Sequence, residues 1–184
     1  MVADLLLDKI NTDIVVNVST SRVIEDIAKK NYKMTYRTKV GEINVSTEML
    51  KRGCLIGGEG NGGIILPEIH PGRDALVGAA LILQYLYEKD DFVTQLFKDL
   101  PQYAIVKDKV SVENIDFDEK MKSILREENP ENIDDIDGVK INHEEYWVQL
   151  RKSNTEPIVR IFAEAKTKEK AEEIVKIYKD KLIG

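Results

Sequence analysis

The chain has 184 residues, 42% hydrophobic and 33% charged, and its 33 acidic against 27 basic side chains leave a net charge of −6. That balance argues against nucleic-acid binding, whose affinity comes from Lys and Arg on phosphates, and a lone cysteine, Cys54, excludes an intrachain disulfide and a Cys-rich zinc site. No apolar run approaches the ~20 residues of a membrane span, and Met1 to Asp8 lacks the basic start and long apolar stretch of a signal peptide, so neither nucleic acid nor membrane is an expected partner and the expected location is cytoplasmic.

In chain order, Leu5, Leu6, Leu7 and Ile10 mark the end of a helix. The β-rich run Ile14-Val15-Val16-Asn17-Val18 suits a buried parallel strand. Ser19 or Thr20 is placed to cap a helix with Val23, Ile24 and Ile27 on its apolar face. Lys33 to Thr38 alternates as a second strand, a helix runs through Val45, Met49 and Leu50, and a third strand is expected at Cys54 to Ile56, with Cys54 buried and not a reactive thiol. After a glycine-rich loop, Ile64-Ile65-Leu66 resumes strand character. Asp74 to Lys89 is the strongest helical pattern, with Leu76, Ala79, Ala80, Leu83 and Leu86 assigned to the packed face. Strands separated by helices imply an α/β domain with a mostly parallel mixed sheet, over residues 1–104.

The remainder, residues 105–184, reads as a small α+β domain. A strand is expected at Tyr103 to Val110 and a short helix at Asp118 to Glu127. The acidic stretch from Glu127 to Asp137 lacks the ligand spacing of a calcium loop and reads as a solvated connection. Val139 to Ile141 and Tyr146 to Leu150 form a hairpin-like pair, Ile158 to Ala163 a further strand, and Lys168 to Leu182 a terminal helix. His70 reads as a loop residue and His143 as an exposed turn.

Two segments concentrate chemistry. Gly57-Gly58-Glu59-Gly60-Asn61-Gly62-Gly63 holds five glycines in seven positions. Glycine supplies no buried side chain, so these residues point to close approach of another molecule to the backbone. Glu59 beside Asn61 offers a carboxylate acceptor and an amide, a pair suited to vicinal sugar hydroxyls; a plain surface turn is the alternative. No Gly-Lys-Ser/Thr follows, and the loop leads into a strand instead of a helix, which excludes a Walker or dinucleotide loop. Arg151-Lys152-Ser153-Asn154-Thr155-Glu156-Pro157, between two strands, gathers a guanidinium, two hydroxyls, an amide and backbone N–H groups. That is a donor set for a phosphate dianion, with an ordinary hairpin turn as the alternative.

Together these loops resemble the α-D-phosphohexomutase superfamily (phosphomannomutase, phosphoglucomutase, phosphoglucosamine mutase). Gly58-Glu59-Gly60-Asn61-Gly62 is similar to its sugar-recognition loop, and Arg151 to Pro157 to its phosphate loop. Thr38-Lys39-Val40-Gly41 and His70-Pro71-Gly72-Arg73-Asp74 resemble the segments beside the sugar loop and before the long helix. The likeness covers essentially the whole chain, as the family's third and fourth domains. It implies sugar-hydroxyl contacts from Gly58, Glu59, Gly60 and Asn61, phosphate contacts from Arg151, Ser153, Asn154 and Thr155, and accessory roles for Lys39 and Arg73. The intact enzyme would interconvert hexose 1-phosphate and hexose 6-phosphate through a phosphoserine and a hexose 1,6-bisphosphate, with Mg2+.

The family's phosphoserine string and Asp-x-Asp-x-Asp-Arg magnesium loop are not found in these residues. The resemblance therefore implies no catalytic residue, no metal ligand and no bound cofactor in this chain, a hexose phosphate as ligand, and N-terminal catalytic domains, from the same gene or a separate chain, as partners. Some members place His at the positions of Gly63 and Glu42. The chain is expected to be inactive alone; a stand-alone sugar-phosphate-binding or regulatory module is the alternative.

Overall fold

The computed structural model describes every residue except Asn114 and Asn154. The chain divides into two compact units, Met1–Gln102 and Tyr103–Gly184.

The first unit is built on β1 (Ile14–Asn17), β2 (Thr35–Thr38), β3 (Ile56–Gly58), β4 (Ile64–Leu66) and β5 (His70–Arg73), with helices α1 (Val2–Lys9), α2 (Val23–Lys30), α3 (Glu42–Arg52), α4 (Ala75–Lys89) and α5 (Val93–Asp99). The sheet order is β2-β1-β3-β4-β5. β2, β1 and β3 run parallel, β4 returns antiparallel to β3, and β5 pairs antiparallel with β4. Every residue of β1 is buried, which explains its unbroken apolar run: a parallel strand between two helical layers has no solvent face. Ile14 and Val16 pack in one cluster with Leu6, Ile27, Ile56 and Tyr85, while Val15 packs with Val45, Met49, Cys54 and Ile65. This alternation seats α3 on one side of the sheet and α1, α2 and α4 on the other.

Several expectations shift. β3 begins at Ile56, two residues later than the pattern suggested, so it takes in Gly57 and Gly58. Cys54 lies before that strand; it is buried, and burial pushes its thiol pKa up. His70 opens β5, because the chain returns along β4 through a bulge before α4. Ser21, not Ser19 or Thr20, accepts the first helical amide of α2, from Val23. The assigned face of α4 is largely wrong: Leu76 and Leu83 are exposed, while Gly78 and Tyr85 are buried and Val77, Leu81, Ile82 and Leu86 pack inward. The helix is apolar around most of its circumference, so periodicity alone cannot orient it. Asp74 caps it, its carboxylate accepting from the Leu76 and Val77 amides at 2.8 and 3.0 Å.

The second unit contains β6 (Ala104–Ser111), α6 (Phe117–Arg126), β7 (Ile133–Asp134), β8 (Val139–Asn142), β9 (Tyr146–Lys152), β10 (Ile158–Ala165) and α7 (Lys168–Ile183). Its sheet, β6-β10-β9-β8-β7, is antiparallel throughout. One face supplies Ile141, Val148, Leu150, Val159, Ile161 and Ala163, packed against Met121 and Ile124 of α6 and Ile174, Val175, Tyr178 and Leu182 of α7. On the other face Trp147, fully buried, donates its indole N–H to Glu164 at 2.7 Å, with the Lys140 ammonium 4.3 Å from its ring. The acidic stretch is more ordered than a solvated connection, containing a 3-10 turn and edge strand β7. His143 is half-buried, its ring stacked on Tyr146 and its Nε2 3.2 Å from Glu128. Among the described residues, no helix is long and apolar enough to cross a membrane.

Candidate functional site

The glycine-rich segment divides into two physical tasks. Gly57 and Gly58 are strand residues that are there for packing, contrary to the sequence argument. A Cβ at Gly57 would fall 2.2 Å from the Met49 sulfur, and one at Gly58 2.5 Å from the Gly63 carbonyl oxygen. α3 and the returning hairpin strand can come this close only because neither residue has a side chain. Residues 59–63 then form the hairpin turn into β4. The Glu59 amide donates to Gly63 O and the Gly62 amide to Glu59 O, both at 3.0 Å, with Gly62 at φ +90.

Glu59 is held at the carboxyl ends of the strands by three separate segments. Its Oε1 accepts from Asn17 Nδ2 of β1 at 3.0 Å and from the Gly41 amide at 3.1 Å. Its Oε2 lies 3.2 Å from Nη1 of Arg73 on β5, and its side chain is 6% exposed. Asn17 is itself oriented: its Oδ1 accepts from the Ser19 amide and the Thr20 hydroxyl. Arg37 secures the same turn, donating to the carbonyls of Asn17, Val18 and Thr20. A carboxylate has about four lone-pair directions. The three contacts leave Glu59 one acceptor position on the Arg73 side.

Arg73 connects this carboxylate to Glu42 in the first turn of α3, its Nε donating to Glu42 Oε2 at 2.6 Å. That hydrogen bond lowers the Glu42 pKa, and the same pair of carboxylates raises that of Arg73. Gly63 makes room for it: a Cβ there would sit 2.3 Å from Arg73 Cδ. Gly63 and Glu42 are thus linked through Arg73, the first giving it space and the second a carboxylate. Asn61 is exposed, its Oδ1 accepting from the Gly63 amide at 3.1 Å, which leaves its NH2 as donor. Glu42, Asn61, Gly63 and Arg73 line a cavity of about 420 Å³. Lys39 is exposed at the end of β2.

In the second unit, Arg151 is the penultimate residue of β9, with its Nε 3.0 Å from Asp137. The turn that follows is closed by the Ser153 amide on Ile158 O at 2.9 Å. Ser153 Oγ and Thr155 Oγ1 lie 3.4 Å apart. Asn154 lies outside the described residues. A cavity of about 180 Å³ is lined by Arg151, Lys152, Ser153, Thr155 and Arg160. Sequence reasoning missed Arg160. The signal was available in the pairing: counting back from the turn sets Arg160 directly opposite Arg151, and opposed residues share a face. The site therefore combines two guanidiniums with two hydroxyls, the chemistry of an anion site.

A family model described as phosphoglucomutase/phosphomannomutase, alpha/beta/alpha domain III, matches residues 1–103, and one for the C-terminal domain of the same group matches residues 109–180. The chain belongs to the phosphoglucomutase/phosphomannomutase family. Among its relatives, a phosphoglucomutase/phosphomannomutase of Thermococcus kodakarensis is 38% identical over 170 residues, covering 89% of this chain and 36% of the relative. The solved structure of a family protein from Burkholderia thailandensis superposes with a TM-score of 0.79 at 18% identity, over 98% of this chain and 39% of that one. An N-acetylphosphoglucosamine mutase of Aspergillus fumigatus, in complex with N-acetylglucosamine 6-phosphate and magnesium, superposes at 0.64 with 14% identity, over 98% and 46%. These two structural likenesses establish the phosphohexomutase fold. The chain spans little more than a third of the length of the curated family members it matches.

Proposed function

We propose that the chain supplies the sugar-hydroxyl and phosphate recognition of a phosphohexomutase, an enzyme that interconverts hexose 1-phosphate and hexose 6-phosphate through a phosphoserine and a bisphosphate intermediate. The observation that carries this reading is Glu59: a nearly buried carboxylate fixed from three segments, with one acceptor direction left beside the amide donors of Asn61. An acceptor and a donor set side by side suit neighbouring hydroxyls, which can each accept one hydrogen bond and donate another. The backbone of Gly58 and Gly60 lets the sugar approach, and Arg73 orients the acid. Lys39 would serve as an accessory cation.

In the second unit, Arg151 and Arg160 neutralise a phosphate dianion, and the Ser153 and Thr155 hydroxyls donate to its remaining oxygens, with Asn154 as a further donor. Among the described residues no three His, Cys, Asp or Glu side chains converge to hold a metal. The phosphoserine and magnesium loops would come from the rest of the enzyme, and this chain alone would hold a hexose phosphate without isomerising it.

Titration with glucose 1-phosphate, glucose and inorganic phosphate, followed by amide chemical shifts, tests the assignment. Arg151→Ala should lower affinity for both phosphate-bearing ligands about tenfold or more, the scale of a charge-assisted hydrogen bond in the 1.5–3 kcal/mol range. Glu59→Gln should weaken the sugar ligands and spare inorganic phosphate. Equal affinities in Arg151→Ala and the native chain would refute the phosphate assignment. Loss of both ligand classes in Glu59→Gln would make the acid purely structural.

A further inference from the structure

The register of the second sheet carries a feature that the phosphate turn alone does not explain. Arg160 on β10 stands opposite Arg151 of β9 on one side and opposite Lys109 of β6 on the other. Directly opposed residues have Cβ atoms roughly 4.5–5.5 Å apart on the same face, and like charges so placed are destabilising. Three cations thus share one rung of the sheet. The next rung on that face runs Lys107, Phe162, Gln149, Lys140 and Asp134, two more cations with a carboxylate at the far edge, and the Lys107 ammonium lies 5.2 Å from the Phe162 ring.

Among the described residues, carboxylates offset only the Arg151 end of the rung formed by Arg151, Arg160 and Lys109. Asp137 pairs with Arg151. Asp108, adjacent to Lys109 in sequence, points to the other face, where it binds Lys179 of α7 at 2.7 Å; that hydrogen bond lowers its pKa. Among the described residues no carboxylate pairs with the side chains of Arg160 or Lys109, and both residues are exposed. A row of opposed cations in a chain of net charge −6 is a local concentration against the general sign. An anion lying across the rung would convert its mutual repulsion into attraction.

We propose that Lys109 is a third cation of the phosphate site, extending it from the Arg151 turn across β10 to β6, so that the site binds the phosphate group in its dianionic form. The proposal rests on the phosphate reading of that turn. Lys109 acts on the ligand's charge, either touching an oxygen or setting the potential around Arg160.

The full chain with inorganic phosphate as probe provides the test. Phosphate affinity and the phosphate-dependent rise in thermal midpoint are measured for the native chain, Lys109→Gln, Lys109→Arg and Arg151→Ala. Lys109→Gln should bind phosphate about two- to fivefold more weakly, the scale of an exposed charge pair. It should also show a shallower salt dependence, while its phosphate-free midpoint stays level or rises as repulsion is relieved. Lys109→Arg should restore the affinity. Native affinity in Lys109→Gln alongside weakened Arg151→Ala would overturn the role of Lys109. So would a lower phosphate-free midpoint with an undiminished phosphate-dependent rise, the signature of a structural lysine. If the native chain shows no phosphate-dependent shift, or Arg151→Ala binds as the native chain does, the reading of the turn itself falls, and the extension with it.

Discussion

The two candidate loops reach their chemistry by opposite means. The Glu59 loop is braced from behind: its acid is nearly buried and tied to β1, to the start of α3 and to β5 before any ligand arrives. The Arg151 turn is open, its donors spread over an exposed hairpin end and its charge set by which residues the register places side by side. On the proposed roles, the difference follows from what each would recognise. Distinguishing one hydroxyl arrangement from another needs an acceptor with a fixed lone-pair direction, whereas a dianion is attracted from many directions and tolerates adaptable donors. Preorganisation is built into one loop, and charge density into the other.

Both nonetheless depend on a glycine placed behind them, and substitution there tests how far each loop relies on its support. The largest effect is expected at Gly138, which has φ +73; a Cβ there would meet the Leu150 carbonyl oxygen at 2.5 Å and Arg151 Cα at 3.0 Å. Both neighbours are backbone, so nothing cheap can move. Gly138→Ala should destabilise the second unit by about 3 kcal/mol and weaken phosphate binding, since Asp137 and Arg151 flank the strained point. Urea unfolding followed on amide signals of that unit would measure it; an unaltered midpoint would show that the turn is not braced at all.

A smaller loss is expected from Gly57→Ala. The atom in the way is the far end of the flexible Met49 side chain, with Val15 O at 3.0 Å. Roughly 2 kcal/mol is the scale for such overpacking. Glucose binding should decline along with stability, because β3 carries Glu59. Met49→Ala in the same chain should recover part of the loss, and no recovery would mean that the contact with Val15 O dominates.

The mildest effect is pH-dependent and concerns the glycine loop, through Arg73. The Arg73 hydrogen bond holds the Glu42 pKa below its ordinary value. Its favourable contribution is therefore complete above the unfolded value of about 4.3 and is lost as pH falls through the lower folded value. Carboxyl NMR should find Glu42 titrating below a reference glutamate. The Arg73 Nε–H signal should shift in the same acid range. A Glu42 titration at or above the reference value would remove the link between Arg73 and the sugar loop.

Much was legible before any coordinates. Strand-forming runs at Ile14 to Val18 and Ile64 to Leu66, the start of the long helix near Asp74 and both chemical loops are local features, and local features are written in neighbouring residues. The resemblance to phosphohexomutases rested on those short strings. What failed had a different character. The orientation of α4 could not be read because Leu76 and Leu83 are as apolar as Leu81 and Ile82. Gly57 and Gly58 looked like loop residues because nothing nearby in sequence announces that Met49 will lie against the first of them.

By itself, then, the order of amino acids determined the α/β and α+β character of the two halves, the glycine hairpin with its acid, and the arginine turn with its hydroxyls. Only the tertiary structure decided which groups orient Glu59, for its partners Asn17 and Gly41 lie 42 and 18 residues away. It also decided that Lys109, on the distant β6, shares a rung with Arg160. Hydrogen bonds and charges act over a few ångströms, and the neighbours found at that range are set by strand order and register, which no single stretch of sequence contains.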